Sequence, residues 1–150
     1  MLFRSLQLAQ AYSVLATQGI MRPISFIRVD ATEVDGKRII DQSIAAKILA
    51  MLQTVVEAGT GTRAQVSGYK IGGKTGTAHV AIAHGYAADK YWSLFAGVAP
   101  LTDPKLVTVV VIKNPLGQYR GGLVAAPVFS NVINRSLRIL NVMPDNMESN

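Results

Sequence analysis

The sequence of 150 residues contains no cysteine, which removes disulfides and thiolate metal sites from consideration and leaves the compartment open. It has no apolar run approaching the roughly 20 residues that a membrane-crossing helix needs. The longest aliphatic stretch, Leu106 to Ile112, is of strand length and is interrupted by Thr108. The opening residues, Met1-Leu2-Phe3-Arg4-Ser5-Leu6-Gln7-Leu8, lack the long apolar core of a secretory signal. Acidic residues are scarce, 9 against 15 Lys and Arg, for a formal net charge of +6. Yet the basic residues spread from Arg4 to Arg138 without a stripe or run, and the pair Lys37-Arg38 is their nearest approach to a cluster. Such a dispersed balance reads as a solvated surface and argues against nucleic acid as a partner. No internal repeat is visible.

What is present reads as globular: 49% of residues are hydrophobic and 16% charged. The length is that of one modest domain, and a complete fold of this size buries roughly 70% of its unfolded surface. From Ser5 to Gln18, Leu6, Leu8, Ala9, Ala11, Tyr12, Leu15 and Ala16 recur at helical spacing, with Ser13 and Thr17 facing outward and Gly19 as the stop. Ile24 to Val29 predicts a short strand, Asp35-Gly36 a turn, and Lys37 to Ile40 a returning hairpin arm. A second helix is expected from Ser43 to Ala58, capped by Asp41 or Ser43, with Ile44, Ile48, Met51, Leu52, Val55 and Val56 as its apolar stripe.

After the Gly/Thr-rich connection Gly59 to Gly68, three strands are expected at Lys70 to Ile82, Tyr91 to Val98 and Leu106 to Lys113. Gly85 to Lys90 and Pro100 to Lys105 are the turns between them, short enough for antiparallel hairpins. Val107 to Ile112 lacks polar alternation, as expected of a strand covered on both faces. A last helix from Ala125 to Leu140 holds Pro127 in its first turn, and the tail from Pro144 reads as frayed. The fold class is α+β, with a three-stranded antiparallel sheet and packed helices.

Two chemical signatures overlap. Gly68-Tyr69-Lys70-Ile71-Gly72-Gly73-Lys74-Thr75 has the spacing of a phosphate-binding loop. That loop works when a strand delivers it and a helix starts at its end, presenting N–H groups to phosphate. Here Gly76 follows at once, and Ala78, Val80 and Ile82 alternate at strand period. The second signature is Lys74-Thr75-Gly76-Thr77, set on a strand. It suits acyl transfer on a peptide that ends in a carboxylate. Lys74 supplies a positive field, the hydroxyls of Thr75 and Thr77 can bond the carboxylate, and Gly76 lets substrate backbone approach the strand edge. A backbone N–H on such an edge can stabilise an oxyanion.

The surroundings decide between them. Gly59-Thr60-Gly61-Thr62-Arg63-Ala64, then Gly68-Tyr69, then Gly73-Lys74-Thr75-Gly76-Thr77-Ala78 resembles the third catalytic motif of class B penicillin-binding proteins. Leu6-Gln7-Leu8-Ala9-Gln10-Ala11-Tyr12 and Gly19-Ile20-Met21-Arg22-Pro23 look like the helix and turn that precede it in that family. Phe95-Ala96-Gly97-Val98-Ala99-Pro100 is similar to the next strand. Asn114-Pro115, Tyr119-Arg120-Gly121-Gly122 and Ala125-Ala126-Pro127-Val128-Phe129 are similar to the closing loop and helix. The match runs over roughly residues 6 to 145 and is closest to the septal, cell-division D,D-transpeptidases.

The resemblance implies a penicillin-binding, serine β-lactamase-like fold, of which residues 1–150 are the C-terminal portion, with the N-terminal half of the transpeptidase domain absent. It implies peptidoglycan cross-linking through a serine acyl-enzyme in septal wall synthesis, and penicillin binding. Lys74 is then the electrostatic and proton-network residue, Thr75 and Thr77 bind the substrate carboxylate, Gly76 gives room, and the Thr77 N–H is the oxyanion donor. The implied partners are peptidoglycan stem peptides and β-lactam antibiotics, with division proteins met through the full-length parent. No metal or organic cofactor is implied. The implied location is the periplasmic side of the cytoplasmic membrane, reached through an N-terminal anchor outside this chain. Serine β-lactamases and carboxypeptidases are near neighbours on the same grounds.

The family also needs a Ser-x-x-Lys nucleophile at a helix start and a Ser-x-Asn. No Ser-x-Asn occurs in the sequence, so the chain alone is expected to be inactive, a binding or interaction remnant. The one Ser-x-x-Lys, Ser67-Gly68-Tyr69-Lys70, leads directly into the Lys74 strand, and Gly68 is a poor residue for a helix's first turn. Met1 to Ser5 departs from the family, where Thr-Pro typically enters this helix, which points to a truncated gene, a frameshift or a mistaken start. A fragment of that kind is expected to be marginally stable and to expose apolar surface. His79 and His84 are spaced for neither a helix face nor one side of a strand, and read as solvent-exposed. Tyr91, Trp92 and Phe95 read as core aromatics. Tyr119-Arg120-Gly121-Gly122 reads either as cleft lining or as the turn leading into the last helix.

Overall fold

The computed structural model describes residues 2–27, 29 and 35–145. Helix α1 (Leu2–Ala16) ends where Gln18 and Gly19 take positive φ, 57° and 95°, and Gly19 N–H bonds Val14 O at 2.7 Å. Glycine is required there: a Cβ would stand 2.0 Å from Ile40 O. Val14 and Leu15 are buried. Ser13 and Thr17 are half-buried and not outward-facing, and each satisfies its hydroxyl locally, Ser13 on Gln10 O (2.7 Å) and Thr17 on Ser13 O (2.8 Å).

The strand expected at Ile24 to Val29 does not form among its described residues; Arg28 lies outside them. Ser25 closes a local turn instead, donating to Ile27 O at 2.7 Å and accepting from Ile27 N at 3.2 Å. Phe26 and Ile27 stand 89% and 78% exposed, so no apolar face is available to reward a strand. The short strand is β1 (Ile20–Met21), and β2 (Lys37–Arg38) pairs back on it antiparallel. Asp35-Gly36 runs into β2; most of that connection, Asp30 and 31–34, lies outside the described residues.

Helix α2 (Gln42–Glu57) is capped by Asp41, whose carboxylate accepts from Ser43 N at 3.1 Å. Its buried positions are Ala45 and Val56, with Leu49, Leu52 and Val55 half-buried. Ile44 and Met51, expected inside, are 50% and 66% exposed, whereas Leu52 is the α2 side chain set against β3, at Gly72. The main sheet has the order β3-β4-β5, from β3 (Gly72–Ile82), β4 (Gly85–Ala99) and β5 (Leu106–Lys113), all antiparallel. The expected turn over Gly85 to Lys90 is instead the start of β4. The hairpin turns on Ala83-His84 alone, and a register shift between His79 and Ala81 sets Ala87 to Lys90 on β4 against Val80 alone on β3.

Helix α3 (Gly121–Ile139) begins before Ala125, so Pro127 sits in its second turn and leaves Leu123 O without its i+4 donor. It covers one face of the sheet with Phe129, Ile133 and Leu137, all fully buried, and Phe129 meets Phe95 at 4.7 Å between ring centres. Helix α1 lies against β4 and β5 on the opposite face. That leaves β5 half-buried along both faces, as its lack of polar alternation predicts. The tail is tied down at Asp145, not frayed there: its N–H bonds Gly68 O at 2.8 Å, and its carboxylate accepts from Lys70 N and Thr102 Oγ1. Tyr69 OH donates to Val142 O at 2.7 Å beside it.

Candidate functional site

Strand β3 is the edge of its sheet, so alternate backbone groups face away from β4 with no strand partner. Lys74, Thr75, Gly76 and Thr77 lie mid-strand, opposite Ala96, Phe95, Leu94 and Ser93. By the two-residue period, Thr75 and Thr77 share the face on which α3 begins, while Lys74 and Gly76 share the other. Thr77 Oγ1 accepts from Gly121 N at 3.0 Å, one of the donors that a helix start leaves open. The Thr77 hydroxyl proton stays available to an acceptor in front of the strand. Thr75 Oγ1 pairs with Thr60 Oγ1 at 2.9 Å, and the two hydroxyls hold one proton more than that bond uses. Lys74 Nζ donates to Thr75 O at 3.1 Å and Thr75 Oγ1 at 3.4 Å, biasing both toward anions.

Gly76 has a packing reason of its own: a Cβ there would stand 2.8 Å from the Leu94 side chain. The start of α3 is pressed even closer. A Cβ on Gly121 would lie 2.5 Å from Gly76 O and 2.4 Å from Leu94 O, and one on Gly122 would lie 2.3 Å from Thr60 O. The two glycines thus let the helix start approach β3 and the Thr60 turn at backbone distance. Behind them the fully buried Ser93 donates to Tyr119 O, and Tyr119 stacks on Tyr91 at 4.1 Å and 14° between planes. Both readings of Tyr119 to Gly122 hold together, since the same residues lead into α3 and line the cleft.

These parts enclose an open cavity of about 490 Å³ whose wall includes Thr60, Arg63, Thr75, Thr77, Tyr119 and Arg120. Its wall carries two arginines and no acid. Lys74 is outside the wall and acts on it through Thr75. The groups with displaced titration lie elsewhere: burial raises Tyr12, and the Ser43 amide lowers Asp41. The arrangement can bind a carboxylate by hydroxyl protons inside a positive field.

Other sequence candidates are not brought here. Ser67 is exposed in the tight turn between the bridged Val66 and Tyr69, on no helix, and borders a different cavity with Arg138 and Asn141. The phosphate-loop reading of Gly68 to Thr75 lacks its helix, because β3 runs on to Ile82. His79 and His84 are exposed; His79 Nδ1 sits 3.2 Å from Ala87 O, and its ring lies 4.5 Å from Tyr91. Among the described residues no three His, Cys, Asp or Glu cluster as metal ligands. Of the expected core aromatics only Phe95 is buried; Tyr91 and Trp92 are half-exposed. Ser93 is a site residue that no sequence signal marks, whereas the Gly/Thr-rich connection does mark Thr60.

The chain matches the penicillin binding protein transpeptidase domain over residues 5–134. It is 49% identical over 145 residues to a probable peptidoglycan D,D-transpeptidase, PbpC, of Pseudomonas aeruginosa, covering 95% of this chain and 25% of that protein. It is 41% identical over 142 residues to the peptidoglycan D,D-transpeptidase FtsI of Escherichia coli, covering 93% of this chain and 24% of that protein. The chain therefore spans about a quarter of the length of the curated relatives it matches. Among solved structures, the apo TP domain of Burkholderia pseudomallei penicillin-binding protein 3 superposes with a TM-score of 0.87 at 37% identity, over 96% of this chain and 44% of that one.

Proposed function

The chain belongs to the penicillin-binding protein transpeptidase family, and from that premise we propose that it forms the carboxylate-binding and oxyanion side of a D,D-transpeptidase site. The observation that carries this is the pair of hydroxyls on the edge strand, Thr75 and Thr77, each held by a partner and bordering the same cavity, with one proton spare on Thr77 and one on the Thr75–Thr60 pair. In this reading the C-terminal carboxylate of a stem peptide, or that of a β-lactam, sits on those hydroxyls in the field of Lys74. The penultimate carbonyl then lies along β3. A serine adds to it, its oxygen gains charge against the Thr77 N–H, the terminal residue leaves with a proton, and an amine later takes the acyl group. Residues 1–150 are the C-terminal portion of the domain, and the nucleophile belongs to a segment outside them; they contain no Ser-x-Asn.

We extend the proposal to septal wall synthesis on the periplasmic side of the membrane, alongside division proteins. The likeness to FtsI supports that placement and the likeness to PbpC leaves it open. No helix among the described residues is long and apolar enough to cross a membrane. Restored septation from an FtsI chimera carrying this chain in place of its own matching part is the expected result, and rescue of elongation alone would redirect the role.

The site itself is tested with an acyl-D-Ala-D-Ala peptide and amide chemical shifts. Saturable shifts centred on Thr75 to Thr77 are expected, weakened about tenfold in Thr75→Val and Thr77→Val and retained in Thr77→Ser, in line with one lost hydrogen bond to a charged group. No shift at those residues would overturn the reading. A stoichiometric covalent adduct between this chain alone and a labelled penicillin would overturn the placement of the nucleophile outside it.

A further inference from the structure

The carboxylate-binding hydroxyls occupy one part of the cavity wall, and the two arginines of that wall come from separate elements. Arg63 sits on the 3-10 turn Thr62–Ala64, whose backbone is held by the Ala64 N–H on Gly61 O at 2.8 Å and by the full burial of Ala64. Arg120 is the residue that caps α3, its carbonyl accepting from Leu123 N at 2.8 Å and Val124 N at 3.1 Å. Both backbones are hydrogen-bonded in place and both side chains are exposed. Neither guanidinium has an ion-pair or hydrogen-bond partner among the described residues, where the one salt bridge is Lys105 to Asp103.

An isolated surface arginine would be a solvated cation and nothing more. Two of them on fixed backbones, bordering one cavity with no acid in its wall, are a different situation. A guanidinium presents a planar fork that matches a carboxylate and is weakly hydrated, so it gives up water for an anion more readily than an ammonium does. The cavity is of small-ligand size. One anionic end of a ligand is already provided for by Thr75 and Thr77.

Resting on the function proposed above, we infer that Arg63 and Arg120 form a second anion subsite, so that the site prefers a dianionic peptide donor: a terminal carboxylate on the threonines and a second carboxylate, upstream of the scissile residue, on the arginines. They are specificity-determining residues, not part of the acyl-transfer chemistry.

The test compares two probes of one shape on the full chain, glutaryl-D-Ala-D-Ala and its 4-carbamoylbutanoyl counterpart, in which an amide replaces the second carboxylate. At low ionic strength the dianion is expected to bind about fivefold tighter, the scale of one well-placed exposed ion pair. That preference should vanish in the Arg63→Ala/Arg120→Ala double variant. It should persist in Arg135→Ala, an exposed arginine on α3 outside the cavity wall that removes the same charge. Equal binding of the two probes overturns the subsite and leaves the function standing. So does a preference that survives the double variant, or one that Arg135→Ala abolishes equally. Failure of both probes to shift Thr75 to Thr77 removes the function and the subsite together.

Discussion

Thr77 serves two masters: its oxygen holds the first amide of α3 while its hydroxyl, with a proton still to donate, borders the cavity. The sequence marks this residue, because Lys-Thr-Gly-Thr on a strand already suggests hydroxyls aimed at an anion. It says nothing of Ser93, whose buried hydroxyl holds Tyr119 from 26 residues away. A serine inside an apolar strand carries no local pattern; its meaning comes from which loop the fold lays beside it. Gly122 is similar, since only the nearness of Thr60 makes its missing side chain matter. Gly122→Ala would push a methyl to 2.3 Å from a backbone oxygen, which cannot rotate away. Thermal unfolding should show a loss of about 2 kcal/mol, the scale of overpacking a tight contact. A loss below a few tenths would mean that the Thr60 turn yields and is no fixed wall.

At the scale of elements, the main sheet strands and α2 were legible because periodicity and an Asp41 cap both marked them. Ile24 to Val29 misled because β-branched and aromatic residues favour strands only where a sheet face buries them, and Phe26 and Ile27 have none. The start of α3 was hidden for the opposite reason: Gly121-Gly122 are poor helix formers, placed there by packing against β3. The α2 cap has a pH signature. The Ser43 amide and hydroxyl, in that order, lower the Asp41 pKa below its ordinary 3.8. A depressed folded pKa adds stability above the unfolded value and loses it as pH falls through the folded value. The gap in melting temperature between wild type and Asp41→Asn, which keeps an acceptor but no charge, should therefore hold at neutral pH and close below about pH 3.8. A gap independent of pH would assign the cap to shape alone.

For the whole molecule, the α+β class, the sheet and the family were all readable from one sequence, since the motif residues recur in order along nearly all of it. What was not readable is how the far end of the chain closes on the site strand. Asp145 reaches back 75 positions to Lys70, just ahead of β3, and across to Thr102 in the β4–β5 turn. That reach has a kinetic meaning. The clasp joins segments that lie side by side only after the three strands and α3 are in place, so it closes late, on the native side of the folding barrier. Asp145→Ala should leave the refolding rate unchanged and speed unfolding by about tenfold. Slowed refolding in stopped-flow traces would mean instead that the two ends meet early and help nucleate the sheet. On the late-closing account, Asp145 sets how long the assembled strand lasts and not how fast it is made.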